Sequence, residues 1–236
     1  MQFVQDVNNF SRREYSMNFT QFHWRCYRFL LLGGMMLMHA VAMATETPKY
    51  TVLIEDGTFE VREYAPRLVA EVSVSGDLDA ASREGFRLLA GFIFGDNRVV
   101  SNPLTTVTPA ESSKIAMTAP VTVEPTEAGA SFSISRVWRV EFSMPSEYTL
   151  ATLPKPNNPS IQIREVPIRT YAVVHYSGMN TVSRINDETQ RLLDWTKTKG
   201  LTMTGAPELA RYNPPWTLPM FRRNEILIPV NTKKAP

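Results

Sequence analysis

The sequence predicts an α+β fold in which an antiparallel sheet curls around two helices, and three observations predict it. From Tyr50 onward, short segments of alternating apolar and polar residues recur and stop at turn residues. Two longer segments, Leu78–Phe94 and Thr181–Lys199, carry the 3.6-residue period of a helix instead. The order strands, helix, strands occurs once on each side of a tract rich in proline and asparagine, so the domain reads as two similar halves.

The first half opens with Tyr50–Ile54, turns at Asp56-Gly57, and alternates again through Phe59–Tyr64 (FEVREY) and Arg67–Ser75 (RLVAEVSVS). Asp77 or Asp79 is placed to cap the helix that starts near Leu78, and Gly95-Asp96-Asn97 is placed to end it. On a helix, Leu78, Ala81, Gly85, Leu88 and Phe92 form one apolar stripe, expected to pack on the sheet. Phe86, Leu89 and Ile93 form a second, beginning beside Ser82 and Arg83. A helix with its back in water needs only one stripe, so the second must be buried in a partner or over a ligand, or else be an exposed patch. Ser101–Pro109 reads as loop, Lys114–Val123 (KIAMTAPVTV) as strand, Glu124–Ala130 as turn, and Ser131–Met144 as one or two further strands.

Leu150–Ser160 (LATLPKPNNPS) is the expected connector between halves. Strands are expected over Ile161–Val166 and Arg169–Ser177. The second helix, Thr181–Lys199, has an ordinary single face of Ile185, Leu192 and Trp195 and stops at Gly200. Strands near Ala206–Tyr212 and Glu225–Val230 close the chain.

Before all of this lies a leader. Arg25 and Arg28 precede Phe29–Ala44, sixteen residues without a charged side chain, which end in Ala42-Met43-Ala44. Basic flank, short apolar run and small-x-small site together read as a secretory signal cleaved after Ala44, with Met17 as an alternative start. The run is short for a membrane span, and the alternative to cleavage is an N-terminal anchor. The domain boundaries read from sequence are therefore 1–44 for the leader and 45–236 for a single domain. The expected location is outside the cytoplasm, periplasmic or extracellular.

Composition then removes several function classes. Of 25 Lys and Arg and 23 Asp and Glu, four and two lie before Thr45, which leaves 21 of each and no basic surplus to favour nucleic acid. Cys26 is the only cysteine and also precedes Thr45, so the domain has no thiol for disulfides, catalysis or zinc. His175 is its only imidazole, paired on one strand face with Ser177 but without a third residue to orient it. No GxGxxG, phosphate loop, GxSxG or HExxH is present. Met117, Met144, Met179, Met203 and Met220 read as core gap-fillers, although a thioether can also ligate haem iron. Glu60, Glu63 and Glu71 are expected to face water. Tyr212–Arg223 (YNPPWTLPMFRR) differs from the rest: its prolines are expected to hold it extended, with ring faces beside guanidinium groups, as a flat apolar ligand with carboxylates requires.

Five segments together resemble the SOUL haem-binding protein family. They are FEVREY (Phe59–Tyr64), GFRLLAGFIFGDN (Gly85–Asn97), KIAMTAPV (Lys114–Val121), FSMPSEY (Phe142–Tyr148) and YNPPWTLPMFRRNEI (Tyr212–Ile226). They span about Tyr50 to Val230 in the family's order. The resemblance implies a distorted antiparallel β-barrel of two similar halves, each with one helix packed on it. It also implies non-covalent binding of haem or a related porphyrin in a shallow apolar groove beside the first helix. Carried over residue by residue, that groove would use Arg83, Phe86, Leu89 and Ala90, then Ile93, with Trp216 and Thr217 from the loop before RRNE. Two positions depart from the family. A histidine proposed as axial ligand in some members is replaced by Glu63, and a polar or basic residue on the groove helix by Gly91. His175 is the one imidazole left as a metal candidate.

The function expected on these grounds is an exported, monomeric, non-enzymatic carrier, buffer or scavenger of a tetrapyrrole, touching membrane only if its leader stays attached. An effector-binding sensor domain of the same two-half type is the alternative. A hydrolase working through Glu60 or Glu63 is a third.

Overall fold

The computed structural model describes residues 45–100, 112–127 and 131–231. The leader and the loop expected over Ser101–Pro109 lie outside them. Among the described residues, twelve strands and two α-helices follow in chain order: β1 (Tyr50–Asp56), β2 (Phe59–Tyr64), β3 (Arg67–Ser75), α1 (Leu78–Ile93), β4 (Asn97–Arg98), β5 (Val121–Pro125), β6 (Val137–Ser143), β7 (Lys155–Pro156), β8 (Gln162–Val166), β9 (Arg169–Tyr176), α2 (Val182–Thr198), β10 (Thr202–Met203), β11 (Glu208–Arg211) and β12 (Asn224–Asn231).

The main sheet runs β1-β2-β9-β12-β11-β5-β6-β3-β8, with β10 added on β12, while β4 and β7 form a small separate pair. Every pairing within the main sheet is antiparallel. The order contains a symmetry. One half contributes β3-β6-β5 and the other contributes β9-β12-β11, and the two meet at β5 against β11. Each half also lends one strand to the other: β2 pairs with β9, and β8 pairs with β3.

This exchange forces the sheet to curl. Strand β2 is second along the path and β3 eighth, a flat separation of roughly 29 Å at about 4.8 Å per strand. Yet Ala65 and Pro66 alone join them, a reach of at most about 11 Å. The same argument applies to β8 and β9, joined by Pro167 and Ile168. Tyr64 pairs with Arg169, and Arg67 with Val166, so both links lie at the same end of the sheet. The expected α+β architecture, a distorted barrel of two halves, is what these links produce.

Alternation along each strand separates two faces. Val61, Leu68, Ala70, Val72, Val123, Val140, Phe142, Ala172, Val174, Leu209, Ile226 and Ile228 point to the face that both helices cover and form the main core. Helix α1 packs on β3 and β6, and α2 on β9 and β12. Asp77 caps α1 by accepting from Ala80 N at 2.7 Å, and buried Asn97 donates to Phe92 O at its far end. Trp195 of α2 stacks on Phe59 at 5.3 Å and donates from Nε1 to Asp56.

The opposite face carries buried charge. Glu225 is 0% exposed. It accepts from both Nη atoms of Arg62 (2.9 and 3.2 Å), from Tyr212 OH (2.7 Å) and from Nε and Nη2 of Arg223. Burial alone would raise its pKa, but these cations and donors outweigh that and hold it below the usual carboxylate range. Farther along, Arg164 bridges Glu71 and Glu141 at 2.8 and 3.0 Å. Glu71 is therefore buried and paired rather than facing water, and Glu60 is half-buried on Arg62.

Several local expectations are corrected. The buried stripe of α1 is Leu78, Ala81, Ser82, Gly85, Leu89, Phe92 and Ile93. Leu88 is only partly buried, because the true stripe follows i, i+3, i+4, i+7 rather than a single row. Of the segment Lys114–Val123, only Val121 onward is strand, and Thr118 instead bridges to Glu46. Of the five methionines only Met144 is fully buried in the core. Met117 packs against it, while Met179, Met203 and Met220 are exposed.

Candidate heme groove

Because α1 lies over β3 and β6 and α2 over β9 and β12, the central pair β5 and β11 runs between the helices. Its residues on the helix face are Val121, Val123, Leu209 and Arg211. Arg211 is directly opposite Val121, which is directly opposite Phe142. Helix α1 meets both ends of this row. Phe86 packs edge-on against Phe142 with ring centroids 5.5 Å apart, and Asp79 approaches Arg211 at 3.9 Å. Arg83, four residues after Asp79 and three before Phe86, is exposed on the same flank of the helix.

The loop after β11 supplies the other side. Arg223 N donates to the side chain of Asn213, and Tyr212 N to Arg223 O, which closes the loop at its base. Arg222 folds into it, donating from Nε to Thr217 O at 2.7 Å and from Nη2 to Pro215 O at 2.6 Å. A short 3₁₀ turn follows over Pro219–Phe221. The three prolines therefore shape a compact loop, not the extended segment expected, because Arg222 draws the carbonyls inward. Trp216 is 83% exposed on it, and Leu218, Met220 and Phe221 are exposed too.

Arg211 is the residue that sequence reasoning missed. Its Nε is buried and has no hydrogen-bond partner among the described residues. Burial pulls its pKa below the usual guanidinium value, and the neighbouring positive charge of Arg222 acts the same way. An arginine on the otherwise apolar side of a strand, just before a proline loop, was a readable signal. A buried guanidinium with a spare donor and one long ion pair is suited to an anion.

The expected groove residues divide into two sets. Arg83 and Phe86, 44% exposed, stand on the groove flank of α1, and Trp216 and Thr217 are in the loop that follows Arg211. Leu89 and Ile93 are not surface residues: at 0% and 1% exposed they belong to the main core. Ala90 is half-buried and Gly91 exposed. His175 is on the face of β9 that points away from both helices, opposite Glu225 on β12, so it is remote from this groove. Glu63 is exposed on β2, which pairs with β9 beneath α2 rather than beneath α1. Among the described residues no group of three His, Cys, Asp or Glu side chains is arranged to hold a metal ion.

Residues 45–229 match the SOUL heme-binding protein family. The chain belongs to that family. No curated protein sequence matches it significantly. Among solved structures, the C-terminal domain of EcmrR gives a TM-score of 0.52 at 15% identity, covering 78% of this chain and 98% of that one. An uncharacterized conserved protein from Listeria innocua gives 0.50 at 11%, covering 83% and 98%. At such identities the likeness shows a shared fold only.

SOUL membership indicates a heme or porphyrin ligand, and the groove fits the chemistry of one. Phe86 and Trp216 offer ring surface for a flat apolar body. The spare Nε of Arg211 suits a carboxylate. The groove residues include no imidazole or thiolate.

Proposed function

We propose that this SOUL protein is an exported, non-enzymatic tetrapyrrole carrier, buffer or scavenger that holds heme or a related porphyrin in the groove between α1 and the Asn213–Arg222 loop. The observation that carries the proposal is Arg211, a buried guanidinium with a spare donor on the groove floor, between Phe86 and the Trp216 loop. Phe86 and Trp216 would lie against the macrocycle, and Arg211, with Arg83 and Arg222, would hold its propionates. Bound heme supplies the redox-active iron and the visible absorption; the protein supplies apolar cover and positive charge.

Magnitudes agree with reversible binding. Covering a few hundred Å² of apolar porphyrin surface is worth about 25 cal/mol per Å², hence several kcal/mol before association costs. That is enough for micromolar affinity without an axial bond from the protein. The leader with its Ala42-Met43-Ala44 site supports export, and the absence of cysteine after Thr45 lets the domain fold in either redox environment.

Titration of hemin into the purified protein tests the proposal. The Soret band is expected to shift and tryptophan fluorescence to fall with saturation in the micromolar range. No change in either signal at the highest soluble hemin concentration would overturn it. A sensor role predicts tight binding of non-porphyrin aromatics instead, which a thermal-shift screen would reveal.

A further inference from the structure

The loop after β11 leaves a group of large apolar side chains in water. Trp216, Leu218, Met220 and Phe221, with Met179 from the turn before α2, are each between 55% and 83% exposed. The two segments are joined: Gly178 N donates to Pro219 O at 2.9 Å, and Arg222 Nη1 lies 3.7 Å from Met179 Sδ. Of these five side chains the heme groove uses only Trp216. Side chains exposed to this degree project from the surface instead of lining a hollow, and large apolar groups so placed mark an interaction site.

The backbone of this tip needs little from water. Pro214, Pro215 and Pro219 have no N–H to hydrate. The carbonyls of Pro214, Pro215, Thr217, Leu218 and Pro219 accept from Thr217 N, Arg222 Nη2, Arg222 Nε, Phe221 N and Arg222 N, at distances between 2.6 and 3.1 Å. An apolar medium offers the backbone no partners, so a loop that satisfies its carbonyls internally loses less on entering one. The charges beside it are of one sign. Arg211, Arg222 and Arg223 are the only charged residues from Leu209 to Asn224, and Arg184 is the only one from Tyr176 to Asn186. Arg222 spends its donors on carbonyls and a thioether rather than on a carboxylate. An apolar tip with an acid-free, arginine-bearing base complements a bilayer, whose phosphates lie above its acyl chains. A protein partner would need a receptacle matched to each projecting side chain; a bilayer accepts them without one.

We propose that this tip docks the protein peripherally on an anionic lipid bilayer. Leu218, Met220, Phe221 and Met179 enter the boundary between headgroups and acyl chains, and Trp216 lies at headgroup level, where indole rings are favoured. The arginines at the base face the lipid phosphates. Docking needs no heme, so it stands or falls apart from the heme reading.

Vesicles of phosphatidylcholine with a minor share of phosphatidylglycerol, brominated along their acyl chains, test this on the full chain without hemin. The leader has an apolar run of its own, so the signal is read from the tip: Trp24→Phe removes the leader's indole, and Trp138 and Trp195 are buried. Trp216 emission is expected to move to the blue and to be quenched by the bromines. Leu218→Ser together with Phe221→Ser, both at exposed positions, should raise the lipid concentration required by on the order of tenfold or more. Met203→Ser, at an exposed methionine on β10, should leave it unchanged. Three results would each overturn the proposal: Trp216 unquenched, quenching indifferent to the double variant, or lipid-free self-association in sedimentation that the double variant abolishes. The last would assign the tip to a second copy of the chain.

Discussion

Gly85 of α1 lies against Val140 of β6 with no space between them for a side chain. A Cβ built on Gly85 would stand 2.7 Å from Val140 Cβ and closer still to one of its methyl groups. This contact sets how near the helix approaches the sheet, and it precedes by one residue Phe86, which is proposed to line the heme groove. Gly85→Ala is therefore expected to destabilise the protein by about 1–3 kcal/mol, although alanine is the better helix former. Adding Val140→Ala should recover part of the loss, a non-additivity that urea unfolding would measure. An alanine variant as stable as the parent would show that the helix can shift at no cost.

Arg62 and Glu225 form the buried ion pair on the other face of the sheet, and each is almost without solvent contact. Replacing Arg62 with Leu leaves the Glu225 carboxylate with Tyr212 and Arg223 but without its main buried cation. The expected cost is about 3–5 kcal/mol. The double replacement by leucine should be markedly less harmful than Arg62→Leu alone. If both variants lose the same stability, the pair is not the cause.

Glu208 predicts a pH dependence. Its folded pKa of about 8 lies above the ordinary value of 4.5, so the folded state retains a proton that the unfolded state releases. Its contribution is fully present below pH 4.5 and is lost as pH rises toward 8. Glu208→Gln should flatten the fall in stability across that window and make the protein more stable than the parent at its upper end. Parallel pH profiles of melting temperature for the two proteins would contradict this.

Arg211 predicts which part of a porphyrin the groove recognises. Arg211→Met is expected to weaken hemin by about tenfold or more while hardly affecting a porphyrin whose carboxylates are esterified. Trp216→Ala should weaken both alike, because it removes apolar contact. Absorbance titrations of the two ligands separate the outcomes, and an equal effect of Arg211→Met on both would remove its role as the propionate anchor.

Much of the fold was legible locally. Asp77, Thr181 and Gly200 bound the helices within a residue or so, since capping depends on neighbours in sequence. The site was legible in part. Arg83, Phe86, Trp216 and Thr217 came from motif resemblance, and all four keep solvent-exposed surface. Leu89 and Ile93 did not, because two stripes at helical spacing merge into one wide buried face when the helix lies against a curled sheet. The buried state of Glu71 was hidden for a related reason: its partner Arg164 is 93 residues away on a strand of the other half.

By itself, the sequence determined the period of each element, its caps and turns, the two-half order and the membership of a heme-binding family. These follow from steric and hydrogen-bonding rules that act within a few residues, and from motifs that survive as strings. Only the tertiary structure decided which strand lies beside which. The exchange of β2 and β8 between halves closes the sheet, and the meeting of β5 with β11 sets Arg211 between two helices with a donor to spare. Those placements depend on pairings between residues far apart in the chain, and no local period records them.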